Sequence, residues 1–150
     1  MFRSLEDNFQ VMFQSQPDIQ EQGIFRALTT KLFCEKTASN YCQVGRTRVT
    51  DYFGTPDEFL DDALDILIRD ISDAVLIAAR HRQQGGLPTL GFQFQAGALA
   101  GQGVMLLDGK TLFTVVATGQ PSAADERDAF LESFSLIQRQ ADSHREGNER

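Results

Sequence analysis

At 150 residues the chain fits one domain, long enough to bury a core without metal or disulfide support. Its 41% hydrophobic and 23% charged residues are ordinary for a globular protein, and a formal charge of −7 disfavours nucleic acid as a partner. No apolar run reaches the roughly 18 residues of a membrane span, and no signal-peptide core follows Met1, which leaves a cytosolic protein or an exported one with its signal removed.

Phe9, Val11 and Phe13 alternate with Gln10, Met12 and Gln14, so residues 8–14 read as a strand. Pro17 and Asp18 mark a turn, and a polar stretch to Gly23 leads into a second strand from about Phe25 to Glu35. After the Thr37-Ala38-Ser39-Asn40 turn, a third strand runs from Tyr41 to about Val49. Cys42 and Val44 share one face of it, while Thr47 and Val49 continue the apolar set on the other parity. A bulge at Gly45 reconciles the two and sends Arg46 and Arg48 outward together.

Thr55-Pro56-Asp57-Glu58 predicts a helix start, with a capping threonine, a proline at the first helical position and a glutamate that closes a capping box. Leu60, Ala63, Leu64, Leu67, Ile68 and Ile71 then form one apolar stripe, with Asp61, Asp62 and Asp65 away from it. Residues 74–82 fit either a continuation of this helix or a strand. One helix of about 30 residues is well beyond the usual length, and Val75, Ile77 and Ala79 alternate, so a strand is the reading adopted.

Leu90, Phe92 and Phe94 alternate with Gly91, Gln93 and Gln95 as a strand with one wet face. Residues 104–107 and 112–117 are apolar on both parities, as strands buried on both faces are, and Asp108-Gly109 reads as the hairpin turn between them. Gly97, Gly101 and Gly103 read as a flexible loop and strand start. Ser122, with Asp125 three residues on, predicts a second helix that packs Phe130, Leu131 and Phe134 inward. Residues 1–138 thus read as one α+β domain of six or seven strands and two helices. The almost wholly polar stretch 139–150 is a flexible charged tail.

Charge is unevenly spread. Residues 51–73 carry eight acids against Arg69 alone, and residues 24–50 carry Arg26, Lys31, Lys36, Arg46 and Arg48 against Glu35. Solvated faces are the ordinary explanation. The alternative is partner recognition through Arg26, Arg46 and Arg48 or through Asp61, Asp62 and Asp65. A metal site on the acidic helix is disfavoured, because acids along one exposed face diverge into solvent rather than converge.

Cys34 and Cys42 are the two cysteines. A turn centred on Ala38 places them directly opposite, within reach of a disulfide in an oxidising compartment; the competing reading is two buried free thiols. His81, between Arg80 and Arg82, has neither the co-ligands of a zinc site nor a partner for general-base work visible in sequence. Gly109-Lys110-Thr111 lacks the first glycine of a phosphate-binding loop, since Val104 stands there. No catalytic constellation, cofactor motif or metal motif emerges.

The opening Phe2-Arg3-Ser4, Phe9-Gln10-Val11-Met12-Phe13 and Pro17 resemble the PsbP-like family, the superfamily of PsbP and the Ran-binding Mog protein, here as a small bacterial member. So do Gly86-Leu87-Pro88 ahead of Phe92-Gln93-Phe94 and the closing Phe130-Leu131-Glu132-Ser133-Phe134. Gln14-Ser15-Gln16 departs from relatives that carry a second proline there. The resemblance implies an antiparallel sheet of six or seven strands flanked by helices, an α/β/α sandwich, and binding rather than catalysis, by scaffolds, lipoproteins or chaperones, with no catalytic residues to carry over. The expectation is a non-enzymatic domain, monomer or homodimer, that docks a protein partner. The alternative is a small-ligand carrier or cryptic enzyme with a pocket between sheet and helix.

Overall fold

A computed structural model of the chain describes residues 1–25, 28–49 and 51–137, with side chains except at 21–25, 28 and 29. Arg26 and the tail 139–150, both singled out from the sequence, lie outside the described residues.

The strands are β1 (Phe2–Ser4), β2 (Phe9–Val11), β3 (Asp18–Phe25), β4 (Leu28–Lys36), β5 (Asn40–Arg48), β6 (Ala74–Gln84), β7 (Leu87–Ala96), β8 (Leu99–Asp108), β9 (Thr111–Gly119) and β10 (Ser135–Leu136). The helices are α1 (Pro56–Asp70) and α2 (Ala124–Glu132). Seven strands form one antiparallel sheet in the order β3-β4-β5-β9-β8-β7-β6, and β2 sits between β1 and β10 in a three-stranded second sheet.

Burial on both faces of β8 and β9 follows from this order, because β9 is the central strand and β8 adjoins it. On one face α1 lays Phe59, Leu60, Ala63 and Leu64 against Leu90, Phe92, Phe94, Met105 and Leu107. On the other, Phe130 and Phe134 join the small sheet in covering Phe33, Val44, Val104, Phe113 and Val115. Phe9 is fully buried there, with its ring 4.8 Å from Phe33 edge-on and 5.8 Å from Phe134 in a stack. Burying such a ring stabilises the fold by about 1.5–3 kcal/mol, so this face needs no helix over its whole area.

The α1 start is as the sequence predicts: the Thr55 side chain accepts from Glu58 N at 3.1 Å, and Glu58 returns the bond to Thr55 N at 3.3 Å. Residues 74–84 are a strand, with its irregularity between Leu76 and Ala78.

Several local expectations are corrected. The expected strand over 8–14 pairs only over Phe9–Val11, and beyond it side chains take over the backbone. Met12 N donates to Ser133 Oγ at 2.8 Å, and Glu35 accepts from Gln14 N at 2.9 Å and from Ser15 N. The polar stretch before Gly23 is not a connection but edge strand β3.

There is no bulge at Gly45, which pairs in unbroken register with Leu32 and Thr114. The parity change along β5 arises because Cys42 and Val44 join the core under the small sheet, whereas Val49 joins the core under α1. The β8–β9 turn is Gly109-Lys110, one residue later than read, with only Gly109 at positive φ (+60°), as at the first central position of a type II′ turn. Ser122 lies in a short 3-10 turn, Pro121–Ala123, and α2 begins without a side-chain cap.

Candidate functional site

Among the described residues, the charged side chains singled out from the sequence do not assemble into one surface. Arg46 and Arg48 share parity with Cys42 and Val44 and so lie on the small-sheet side, while α1 and its acids lie on the other face. Arg46 does not point outward: its Nε lies 3.7 Å from Oδ1 of buried Asp7, which also accepts from Lys31 Nζ at 2.8 Å and Ser4 Oγ at 2.8 Å. That cluster fastens the N-terminal ribbon to the sheet. Arg48 is exposed.

On α1, Asp61 turns to β6, where its Oδ1 lies 2.7 Å from His81 Nε2, and Asp57 Oδ1 lies 3.5 Å from His81 Nδ1. His81 therefore has acidic partners that the sequence hid. Asp62 and Asp65 are exposed. Among the described residues, no cluster of three histidine, cysteine or acidic side chains could hold a metal ion.

The cysteines are both free and buried. Cys34 pairs with Gln43 and Cys42 with Glu35, which puts the two thiols on opposite faces of the sheet and removes the proposed bridge. The reason is the turn, which closes from Thr37 N to Asn40 O at 2.8 Å and so centres between Ala38 and Ser39. Burial, with Glu35 and Glu126 nearby, pushes the Cys42 thiol from 9.0 up to about 11, so it is a poor nucleophile.

A different place on the molecule is shaped to receive something. α2 lies over β5, β9 and β8, so among the described residues nothing covers its face of the sheet over β6 and the middle of β7. The result is a half-open trough of about 600 Å³. Its floor is Gly91 and Gln93 on β7 and Gln102 and Val104 on β8; its walls are Arg80 and Arg82 on β6, and Asp128, Leu131 and Glu132 on α2. The strand period of two puts Arg80 and Arg82 together on the trough side and His81 on the α1 side.

Gly91 is what keeps the floor low. A Cβ there would meet only the Arg82 guanidinium, at 3.8 Å, so that side chain lies across the glycine.

The α2 wall is fixed by a residue that sequence reasoning missed. Arg127 is 2% exposed, and donates from Nη1 to Gln120 O at 2.6 Å and Asn40 Oδ1 at 3.0 Å, and from Nε to Gln102 Oε1 at 3.1 Å. With its Oε1 taken, Gln102 turns Nε2 to Asp128 Oδ1, which sets one carboxylate at the rim. No family model matches the sequence, and no curated protein matches it.

Among solved structures, the chain is similar to cyanobacterial PsbP (CyanoP) from Synechocystis sp. PCC 6803, with a TM-score of 0.63 over 90% of both chains at 11% identity. The fold is PsbP-like. A protein of unknown function from Pseudomonas aeruginosa, PA94, aligns over 76% of this chain and 90% of its own, at 8% identity and a TM-score of 0.49. At such identities the likeness is of fold alone, and no residue role carries over. Within this PsbP-like frame the trough is defined by the chain's own residues: two arginines, the glutamines and the α2 carboxylates. No helix among the described residues is long and apolar enough to cross a membrane.

Proposed function

We propose that this PsbP-like domain is a non-enzymatic binding module that docks a protein partner in the trough and along the open edge of β6 that borders it. The observation that carries the reading is the uncovered sheet face over β6 and β7, because a groove open along one side admits a chain passing through it. The described residues lining it include no serine, cysteine, histidine or lysine, and its two carboxylates, Asp128 and Glu132, have no histidine beside them to serve as a general acid or base.

One observation favours a second reading, small-ligand carriage. The volume of about 600 Å³ falls within the range of small-molecule sites. Against it stand the open side and the charged walls, where such sites are enclosed and mostly apolar.

Gly91→Trp separates the two readings. The position lies in a strand without positive φ, and a Cβ there meets only the end of the flexible Arg82 side chain, so the indole displaces that guanidinium and fills the trough without entering the core. Affinity capture from the native host at low and moderate salt is expected to recover a protein with the wild type and lose it with Gly91→Trp. A co-purified small molecule with no protein partner overturns the docking reading in favour of the carrier.

A further inference from the structure

Arg80 and Arg82 have no carboxylate within ion-pair distance among the described residues, although Asp128 and Glu132 line the same trough. Two arginines two residues apart on one face of a strand, with acids on the far wall, form a one-sided anion-binding rail. We infer that the docked segment is an extended acidic strand that adds to the edge of β6 over Ala78–Gln84, placing carboxylates two residues apart on Arg80 and Arg82. This deepens the docking reading and rests on it.

Geometry supports a strand as the occupant. Same-face residues in an extended chain recur every ~6.6–6.8 Å, so glutamates at alternate positions match the Arg80-to-Arg82 spacing one for one. A helix can also space acids by about 6 Å, at i and i+4, but its backbone bonds are internal and cannot pair with the edge of β6. Among the described residues β6 pairs with β7 alone, and none of them covers its outer edge. Its irregularity lies between Leu76 and Ala78, which leaves Ala78–Gln84 as the regular run able to pair.

Charge selects the partner further. A second copy pairing β6 to β6 would crowd four arginines along one seam, and like charges across a ladder are destabilising. A nucleic acid would bring phosphates against Asp128 and Glu132 in a protein of charge −7. An acidic peptide avoids both penalties, since its carboxylates project on one face only and its other positions are free to be neutral.

The test uses the isotope-labelled full chain and three blocked hexapeptides, with amide shifts and hydrogen exchange at Ala78–Gln84 as readout. The peptides are Thr-Glu-Val-Glu-Val-Thr, its glutamine counterpart Thr-Gln-Val-Gln-Val-Thr, and Thr-Glu-Glu-Val-Val-Thr with adjacent acids. The alternating-acid peptide is expected to protect β6 amides and to bind about tenfold more tightly than the glutamine peptide. Two partly exposed ion pairs supply about that much. The advantage should vanish in Arg80→Gln/Arg82→Gln and at about 0.5 M salt, and the adjacent-acid peptide should forfeit about half of it on a logarithmic scale.

Equal binding of the glutamate and glutamine peptides overturns the inference, as does an unperturbed β6 with the alternating-acid peptide at millimolar concentration. So do a concentration-dependent shift of β6 without peptide and equal competition by oligouridylate. A captured partner lost with Gly91→Trp but kept with Arg80→Gln/Arg82→Gln rejects the acidic strand and leaves the docking reading standing. Retention with Gly91→Trp rejects the docking reading itself.

Discussion

Arg127 carries a charge into the interior and meets it with a backbone carbonyl and two side-chain amides. Truncation would strand Asn40 Oδ1 and Gln102 Oε1 without a donor, while Gln120 O would keep its bond from Ala123 N. Leaving buried acceptors unpaired costs about 1–3 kcal/mol, and the loss of a charged donor adds to it, so Arg127→Met should destabilise the domain by about 2–4 kcal/mol in urea unfolding. Gln102 should also lose its fixed orientation, seen as a shift of its side-chain amide. A change below 0.5 kcal/mol would mean that these bonds contribute little. None of this could be read from the local sequence, where Arg127 lies in the polar run Asp125-Glu126-Arg127-Asp128 and looks solvated. Its partner Asn40 is 87 residues away, and such burial is decided by tertiary packing. Asp7 and Glu35 were hidden for the same reason: each is buried among groups from another part of the chain. The cysteines failed differently, through a register that turns on the centre of one short hairpin, where half a residue reverses a face.

At the scale of elements, the glycines of β8 have a role that composition alone cannot assign. Gly101 and Gly103 sit beneath the rings of Phe94 and Phe92, which stack 6.2 Å apart. A Cβ at Gly101 would lie 2.1 Å from Phe94 Cζ, and one at Gly103 would lie 2.5 Å from Phe92 Cζ and 2.7 Å from the carbonyl oxygen of Val115. The backbone contact cannot be relieved by turning a ring. Gly103→Ala should therefore cost about 2–3 kcal/mol by overpacking, Gly101→Ala should cost less, and Gly91→Ala should be near neutral. Thermal or urea unfolding of the three variants checks that order, and equal effects would contradict it. The α1 helix and the paired central strands β8 and β9 were legible because their signals are local: a cap, a proline, an apolar stripe, apolar residues on both parities. β3 was not, since a polar edge strand leaves no such pattern. The alternation Arg80-His81-Arg82 was in plain view, yet its meaning depends on which face a helix covers.

Across the whole molecule, sequence reasoning offered two alternative recognition surfaces on the charged first half, one basic and one acidic, and the trough is a third. One sheet separates Arg46 and Arg48 from the acids of α1, Asp7 engages Arg46, and His81 engages Asp61. Among the described residues the sheet leaves a face bare over β6, because α2 reaches only β5, β9 and β8. The most direct measurement is site-specific photocrosslinking in the native host, with benzoylphenylalanine placed at Gln93 in the trough floor or at Asp62 on the exposed face of α1. Protein adducts from Gln93, abolished by Gly91→Trp, together with none from Asp62, are the predicted result. Adducts from Asp62 with none from Gln93 would contradict it and return the interface to the acidic helix.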